Sequence, residues 1–298
     1  MTAAIPLSVL LPVYNVGPYL ADTLDSLLNQ TFADFELLAH DDGSTDNSLE
    51  ILHDYAARDP RLKITTGSNQ GIVKTLNQLA GAAQSDLLAR IDGDDICRAD
   101  RFEKQVAFLK AHPETGVLGS FVTCIDSENR PICDFTPPQH HDEIDNAHIK
   151  SGGPCIWHPA VMMRAQALKA AGGYSTDYPH TEDYALWLRM GEITRLANFP
   201  EPLVCYRLHL ESVSVTKRDI QVNSAARAWK DACDRRGISP EPPSPRHAPE
   251  ETEVMQKWAW WAISAGHRDT ARHYAMQVFR RQPFALSSLR LLRGAWRL

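Results

Sequence analysis

Three carboxylates crowd into Asp92-Gly93-Asp94-Asp95, and a second acidic pair stands at Glu182-Asp183. Aspartates at that spacing offer oxygen ligands to a hard divalent cation, which neutralises charge as a phosphate group departs. Gly93 removes a side chain where a phosphate or ribose has to approach. Glu182 and Asp183 precede Leu186, Trp187 and Leu188, so a helix can pack behind them while one carboxylate faces a cleft and takes a proton from a hydroxyl. Acids at a helix N-terminus also simply complement its dipole, and spacing alone does not separate the two roles.

Other chemistries fit these residues less well. Asp92, Asp94, Asp100 and Glu103 fall on liganding positions of a calcium loop, but Ile96 stands where a polar ligand belongs and Cys97 where the turn needs glycine. Asp42-Gly43-Ser44-Thr45 lacks the second aspartate of a phosphatase nucleophile motif. His140-His141-Asp142 suggests zinc, yet no second ligand pair has suitable spacing, and the segment reads as solvated loop.

The elements that must position these groups follow from periodicity. Leu7 to Leu11, Glu36 to His40, Leu62 to Thr65 and Asp86 to Ile91 read as strands. Between them come helical patterns: one opened by Gly17-Pro18, one with Leu49 and Leu52 inward, and one with Ile72, Leu76, Leu79 and Ala83 on one face. Three strand-helix units in succession predict a mostly parallel α/β sheet with helices on both sides. Ligands of such sheets bind beyond the carboxyl ends of the strands, so Asp41-Asp42 and Asp92 to Asp95 should share one cleft. A helix to about Ala111 and a strand from Gly116 to Ile125 follow, and then Asn129 to Gly153 reads as a loop-rich lid or acceptor-facing surface.

The whole chain sets outer bounds. Its 298 residues, 43% hydrophobic, suffice for one large domain and an appendage. A net charge of -6 spread along the chain gives no reason to expect nucleic acid as partner. The six cysteines show no CxxC pair and read as reduced, buried thiols. Pro12 interrupts the first apolar run, no basic residue precedes it, and no segment is long enough to span a bilayer. The expectation is a cytoplasmic protein, at most peripheral on the inner face of a membrane.

Taken together, Pro12-Val13-Tyr14-Asn15, Asp41 to Asp46, Ala89 to Asp95, Gly172-Gly173-Tyr174 and Glu182 to Trp187 resemble, in order and separation, the family 2 glycosyltransferases of the GT-A fold. The resemblance runs from about Ile5 to Ser214. It implies a Rossmann-like, nucleotide-diphospho-sugar transferase domain over 1–215. The activity implied is inverting, metal-dependent transfer of a sugar, of hexosyltransferase type, from a nucleotide diphosphate to a hydroxyl of a glycan or glycolipid. UDP is the carrier by family frequency, and Mn or Mg the cation. The biological setting implied is cell-surface polysaccharide or lipopolysaccharide synthesis. A non-catalytic nucleotide-sugar-binding or scaffold relative is the alternative, disfavoured because both acidic motifs and Asp183 are present.

The resemblance also assigns roles. Tyr14 lies against the nucleobase, with Pro12 and Asn15 shaping the turn. Asp42 accepts a base N–H and Asp41 orders the turn. Asp94 is the direct metal ligand, Asp92 lies nearer the ribose or a metal-bound water, and Asp95 supports them. Arg90 either meets the diphosphate or locks the carboxylates. Asn69, Gly71 and Lys74 match a segment near the nucleotide, although Lys74 equally reads as a solvated helix residue. Asp183 is the catalytic base and Glu182 an acceptor contact. His158 lines the donor or acceptor pocket or is a core histidine, and His209, with Arg207, reaches phosphate or metal.

The resemblance does not reach the end of the chain. Pro240 to Pro249 reads as a linker within a helical region, 216–298. Trp258, Trp260 and Trp261 cluster there, and from Phe279 onward the chain carries Arg280, Arg281, Arg290, Arg293 and Arg297 with no acidic residue. Two readings stand: a membrane-surface element, or helical core packing with a solvated basic face.

Overall fold

The computed structural model describes residues 5–210, 217–243 and 250–297. The expected domain junction at 215–216 and the 244–249 part of the expected linker lie outside these residues.

β1 (Ser8–Val13), α1 (Gly17–Leu28), β2 (Glu36–Asp41), α2 (Ser48–Ala56), β3 (Leu62–Thr66), α3 (Ile72–Ala82) and β4 (Leu87–Arg90) form the alternating half of the molecule. The helices follow from their sequences. Pro18 sits in the first turn of α1, where no intrahelical N–H is needed, and Leu20, Leu24 and Leu27 then fall on one buried face. Burial of each such leucine contributes roughly 1.5–3 kcal/mol. In α3 the buried face is Val73, Leu76 and Leu79; Ile72 and Ala83 are only partly covered, because the helix is rotated slightly from the expected stripe.

The second half comprises β5 (Ile96–Cys97), α4 (Arg101–Ala111), β6 (Thr115–Ile125), β7 (Pro131–Phe135), α5 (His141–Ser151), β8 (Met162–Arg164), α6 (Ala165–Ala170), α7 (Glu182–Met190) and β9 (Arg195–Arg207). Strand order is β3-β2-β1-β4-β8-β6-β9-β5, with β7 on β6. β1 to β4 run parallel, β8 is antiparallel to both β4 and β6, and β9 is parallel to β6. Most strands therefore share one direction, as the alternation predicts. Along β1, Val9, Leu11 and Val13 join the core under α1, α2 and α4, whereas Leu10 joins the core under α3, α6 and α7. That period of two is what lets one strand serve both helical layers.

Asn129 to Gly153 is not the loop that the sequence suggests. Ile132 and Cys133 are buried by the pairing of β7 with β6, and α5 buries Ile144, His148 and Ile149 before Gly152 ends it at φ +63. His140-His141-Asp142 is likewise no solvated loop: it opens α5, and His141 Nδ1 accepts the Leu196 N–H at 3.2 Å.

Four further helices complete the chain: α8 (Arg218–Arg236), α9 (Glu251–Ala265), α10 (Arg268–Arg281) and α11 (Leu286–Arg297). α8 packs Ala228, Ala232 and Cys233 against Tyr184, Ala185 and Leu188 of α7. Val254, Met255 and Trp258 of α9 extend the main core beside β7. All six cysteines are free thiols, four buried and Cys155 and Cys205 partly so.

Candidate active site

The first two motifs are tied together before any ligand is considered. Asn15 adopts φ +52, a region asparagine tolerates better than most residues. Its N–H donates to Ser44 Oγ at 3.0 Å, and its Oδ1 accepts the Thr45 N–H at 2.8 Å. Asp46 Oδ2 accepts the Gly17 N–H at 2.9 Å, which places a carboxylate on the N-terminus of α1. Pro12 is buried at the end of β1, and Tyr14 stands out beside it, 49% exposed and open to a flat ligand.

Asp42 accepts the Gln70 N–H at 2.8 Å through one oxygen and the Gly71 N–H at 2.9 Å through the other. It therefore holds the segment before α3. Gly43, at φ +78, permits this approach, because a Cβ there would lie 2.9 Å from the Asn69 nitrogen. Asp41 accepts from the Ser44 N–H and the Thr66 hydroxyl. Asn69 is exposed nearby, and Lys74 is exposed on α3 with no ion-pair partner among the described residues.

Asp92, Asp94 and Asp95 follow β4, with one ligand oxygen from each within 4.8 Å of the others. Gly93 has a packing task as well. A Cβ on it would meet Val16 at 2.8 Å, so glycine lets the acidic turn pack on the Tyr14–Gly17 loop. Asp100 and Glu103 do not join the cluster, since they bind Lys104 and Thr31.

β9 clamps the turn from the far side. The Arg207 N–H donates to Asp95 Oδ1 at 2.7 Å, and its Nε donates to the Asp94 carbonyl at 2.7 Å. His209 Nε2 lies 2.9 Å from Asp94 Oδ2. Tyr19 braces both residues, with the Arg207 guanidinium 4.6 Å from its ring and the His209 ring 5.0 Å away.

Arg90 is buried and pairs with Asp92, so it holds one carboxylate of the turn. Its Nε and Nη1 have no partner among the described residues, so it retains donors for an anion. Burial, with Asp94 beside it, pushes the Asp92 carboxyl up to about 6 against the opposing Arg90 charge. Its side chain is still 31% exposed, so solvent moderates that shift. Burial also raises Asp95 well above the usual carboxylate range, with Asp94 and Asp92 adding to it. Asp95 Oδ2 has no partner among the described residues.

Glu182 and Asp183 open α7 as expected. Burial and then the Asp183 charge raise Glu182 to about 7. Burial raises Asp183 too, opposed by the Tyr184 N–H, which donates to its Oδ1 at 2.7 Å. The Asp183 carboxylate lies near enough to Asp92 for its charge to act there.

His158 is buried rather than lining open space. Its Nε2 lies 2.8 Å from the Tyr174 hydroxyl, its ring meets Trp187, and burial with the Arg90 charge holds it neutral. Tyr19, Tyr174 and Trp187 are participants that residue types alone did not reveal. Tyr174 lay within a quoted motif, but its partner His158 is remote in sequence.

The chain matches known proteins. The glycosyl transferase family 2 model matches residues 8–172. An uncharacterized glycosyltransferase of Haemophilus influenzae is 31% identical over 68% of this chain and 65% of its own length. The amylovoran biosynthesis glycosyltransferase AmsE of Erwinia amylovora is 30% identical over 70% of this chain and 78% of its own. Among solved structures, S. aureus TarS 1-349 in complex with UDP-GlcNAc aligns with a TM-score of 0.58 at 19% identity, covering 97% of this chain and 79% of that one. The mannosyltransferase PcManGT from Pyrobaculum calidifontis, in complex with GDP-Man and Mn2+, aligns with a TM-score of 0.58 at 15% identity, covering 99% and 81%. These likenesses show the GT-A fold, and with the family match over more than half the chain they establish that this protein belongs to glycosyl transferase family 2 and is a glycosyltransferase.

Proposed function

We propose that this glycosyltransferase moves a sugar from a nucleotide diphosphate, UDP by preference, to a hydroxyl of a glycan or glycolipid with inversion, using residues 1–215 as the catalytic domain. The observation that carries the reading is the close set of Asp92, Asp94 and Asp95 ligand oxygens after β4, with the Glu182 and Asp183 carboxylates near enough to interact with Asp92. The nucleotide sugars in the TarS and PcManGT complexes support a nucleotide sugar as donor, and the amylovoran biosynthesis named for AmsE supports a polysaccharide as product.

The donor set suits Mn or Mg. It is all oxygen and close-set, and it includes the buried, unpartnered Asp95 Oδ2. Asp94 and Asp92 would hold the cation, which when bound offsets charge on the departing diphosphate. Tyr14 supplies a face for the base, while Asp42 and Asn69 bound the nucleotide end of the cleft. Arg90 directs its spare N–H groups at the phosphates. The acceptor oxygen bonds to the anomeric carbon, the bond from that carbon to the phosphate oxygen breaks, and the acceptor proton passes to Asp183. A carboxylate with a raised pKa is a better proton acceptor. Glu182 keeps negative charge beside the base and contacts the acceptor.

UDP titrated with and without Mn, followed by a nucleotide-sugar panel scored for turnover, tests this. Mn-dependent UDP binding and turnover of one UDP-sugar are expected. Metal-independent binding without turnover of any nucleotide sugar favours the non-catalytic relative.

A further inference from the structure

The arginines after Phe279 are exposed, and those of the last helix stand beside large exposed apolar side chains. α11 turns Ser288, Leu291 and Ala295 inward. Its outer face carries Leu286, 73% exposed, Leu289, 47%, and Trp296, 50%, beside exposed Arg290, Arg293 and Arg297. Phe284, just before the helix after Pro283, is 95% exposed. At 100° per residue these apolar and basic side chains share one arc of the helix, opposite the buried one. Among the described residues, no carboxylate pairs with Arg280, Arg290, Arg293 or Arg297. The Arg272 guanidinium lies 5.4 Å from the Trp296 ring and adds another cation. The tryptophans that sequence analysis singled out behave otherwise. Trp258 is buried, and Trp261 packs edge-on against Phe135, so only Trp260 of the three is well exposed.

We infer that the outer face of α11 and the Phe284 turn form a docking surface for an anionic lipid bilayer. A large apolar side chain left in water gains by entering the acyl boundary, and arginines alongside it gain from anionic headgroups. Charge complementarity selects this occupant. The protein as a whole is acidic, at -6, yet this segment holds five arginines and no acid, so a second, equally basic copy of the face is repelled. No helix of the described residues is long and apolar enough to cross a membrane, so contact at the surface is the mode that fits.

Sedimentation of the full chain with vesicles tests the inference. Vesicles of phosphatidylglycerol and phosphatidylcholine in equal parts should pellet the protein at low salt, and phosphatidylcholine alone should not. Raising salt to about 1 M should release it. Replacing Arg290, Arg293 and Arg297 together by Gln should weaken binding about a hundredfold, at about fivefold per arginine. Phe284→Ser with Leu286→Ser should weaken it at every salt concentration. If a variant fails to fold by circular dichroism, the lipid and salt comparison on the unaltered chain decides. Equal pelleting with both vesicle types, or none with either, overturns the proposal. So does a concentration-dependent dimer that Phe284→Ser abolishes, since the face would then belong to a second copy.

Discussion

His209 Nε2 stands 2.9 Å from Asp94 Oδ2, joining the segment after β9 to the acidic turn after β4. If the cluster holds the proposed cation, a histidine in that place would orient the Asp94 carboxylate toward it. His209→Ala should weaken Mn binding by about 10–100-fold, as loss of an orienting partner does. Calorimetric titration with Mn measures it, and an unaltered affinity contradicts the role.

The acid limb of the rate profile should belong to the Glu182 and Asp183 pair. Burial raises both carboxyls, so the limb lies above the usual carboxylate range and transfer falls as pH drops through it. Glu182→Gln removes the neighbouring negative charge, which stabilises ionised Asp183 and moves the limb to lower pH. The pH dependence of kcat/KM decides; a limb that stays in place or rises rejects the assignment.

His148 sets a stability prediction independent of catalysis. It is fully buried, both ring nitrogens lack partners among the described residues, and burial lowers its pKa to about 4. The unfolded chain, with a pKa of about 6.5, takes up the proton first, so stability is complete above that pH and is lost as pH falls toward 4. The loss approaches about 3 kcal/mol. His148→Phe should flatten the urea-derived stability curve between these limits relative to the unaltered chain. Parallel curves for the two proteins exclude His148 as the source.

Tyr274 of α10 donates to Asp126 Oδ2 at 3.0 Å, and the Asp126 carbonyl accepts Arg207 Nη1 at 2.9 Å. The C-terminal helices thus connect to the clamp on the acidic turn. Tyr274→Phe should cost about 1.5–3 kcal/mol of stability, the worth of a hydrogen bond to a charged group. Chemical denaturation measures this, and a loss under a few tenths makes the contact idle.

What was legible in the sequence is what local periodicity and short motifs carry. β1 to β4 and their helices announce themselves because each apolar stripe matches one period. The acidic turn was visible because its residues are adjacent. β7 was missed because two short flanks, Pro131 and Asp134, conceal buried Ile132 and Cys133, which only pairing with β6 explains. α5 was missed because His148 fills a core position with a polar type. Arg207 and His209 meet Asp94 and Asp95 from more than 110 residues away, and that distance is set by parallel pairing of β6 and β9, which no local pattern encodes.

Asp183→Asn is the most direct test of the central claim. The substitution keeps the shape of the side chain at the start of α7 and removes its capacity to take a proton. Transfer from the accepted UDP-sugar should become undetectable, while UDP binding with Mn stays within about twofold of the unaltered protein. Substantial residual transfer with that binding intact would contradict Asp183 as the base and, with it, the proposed displacement.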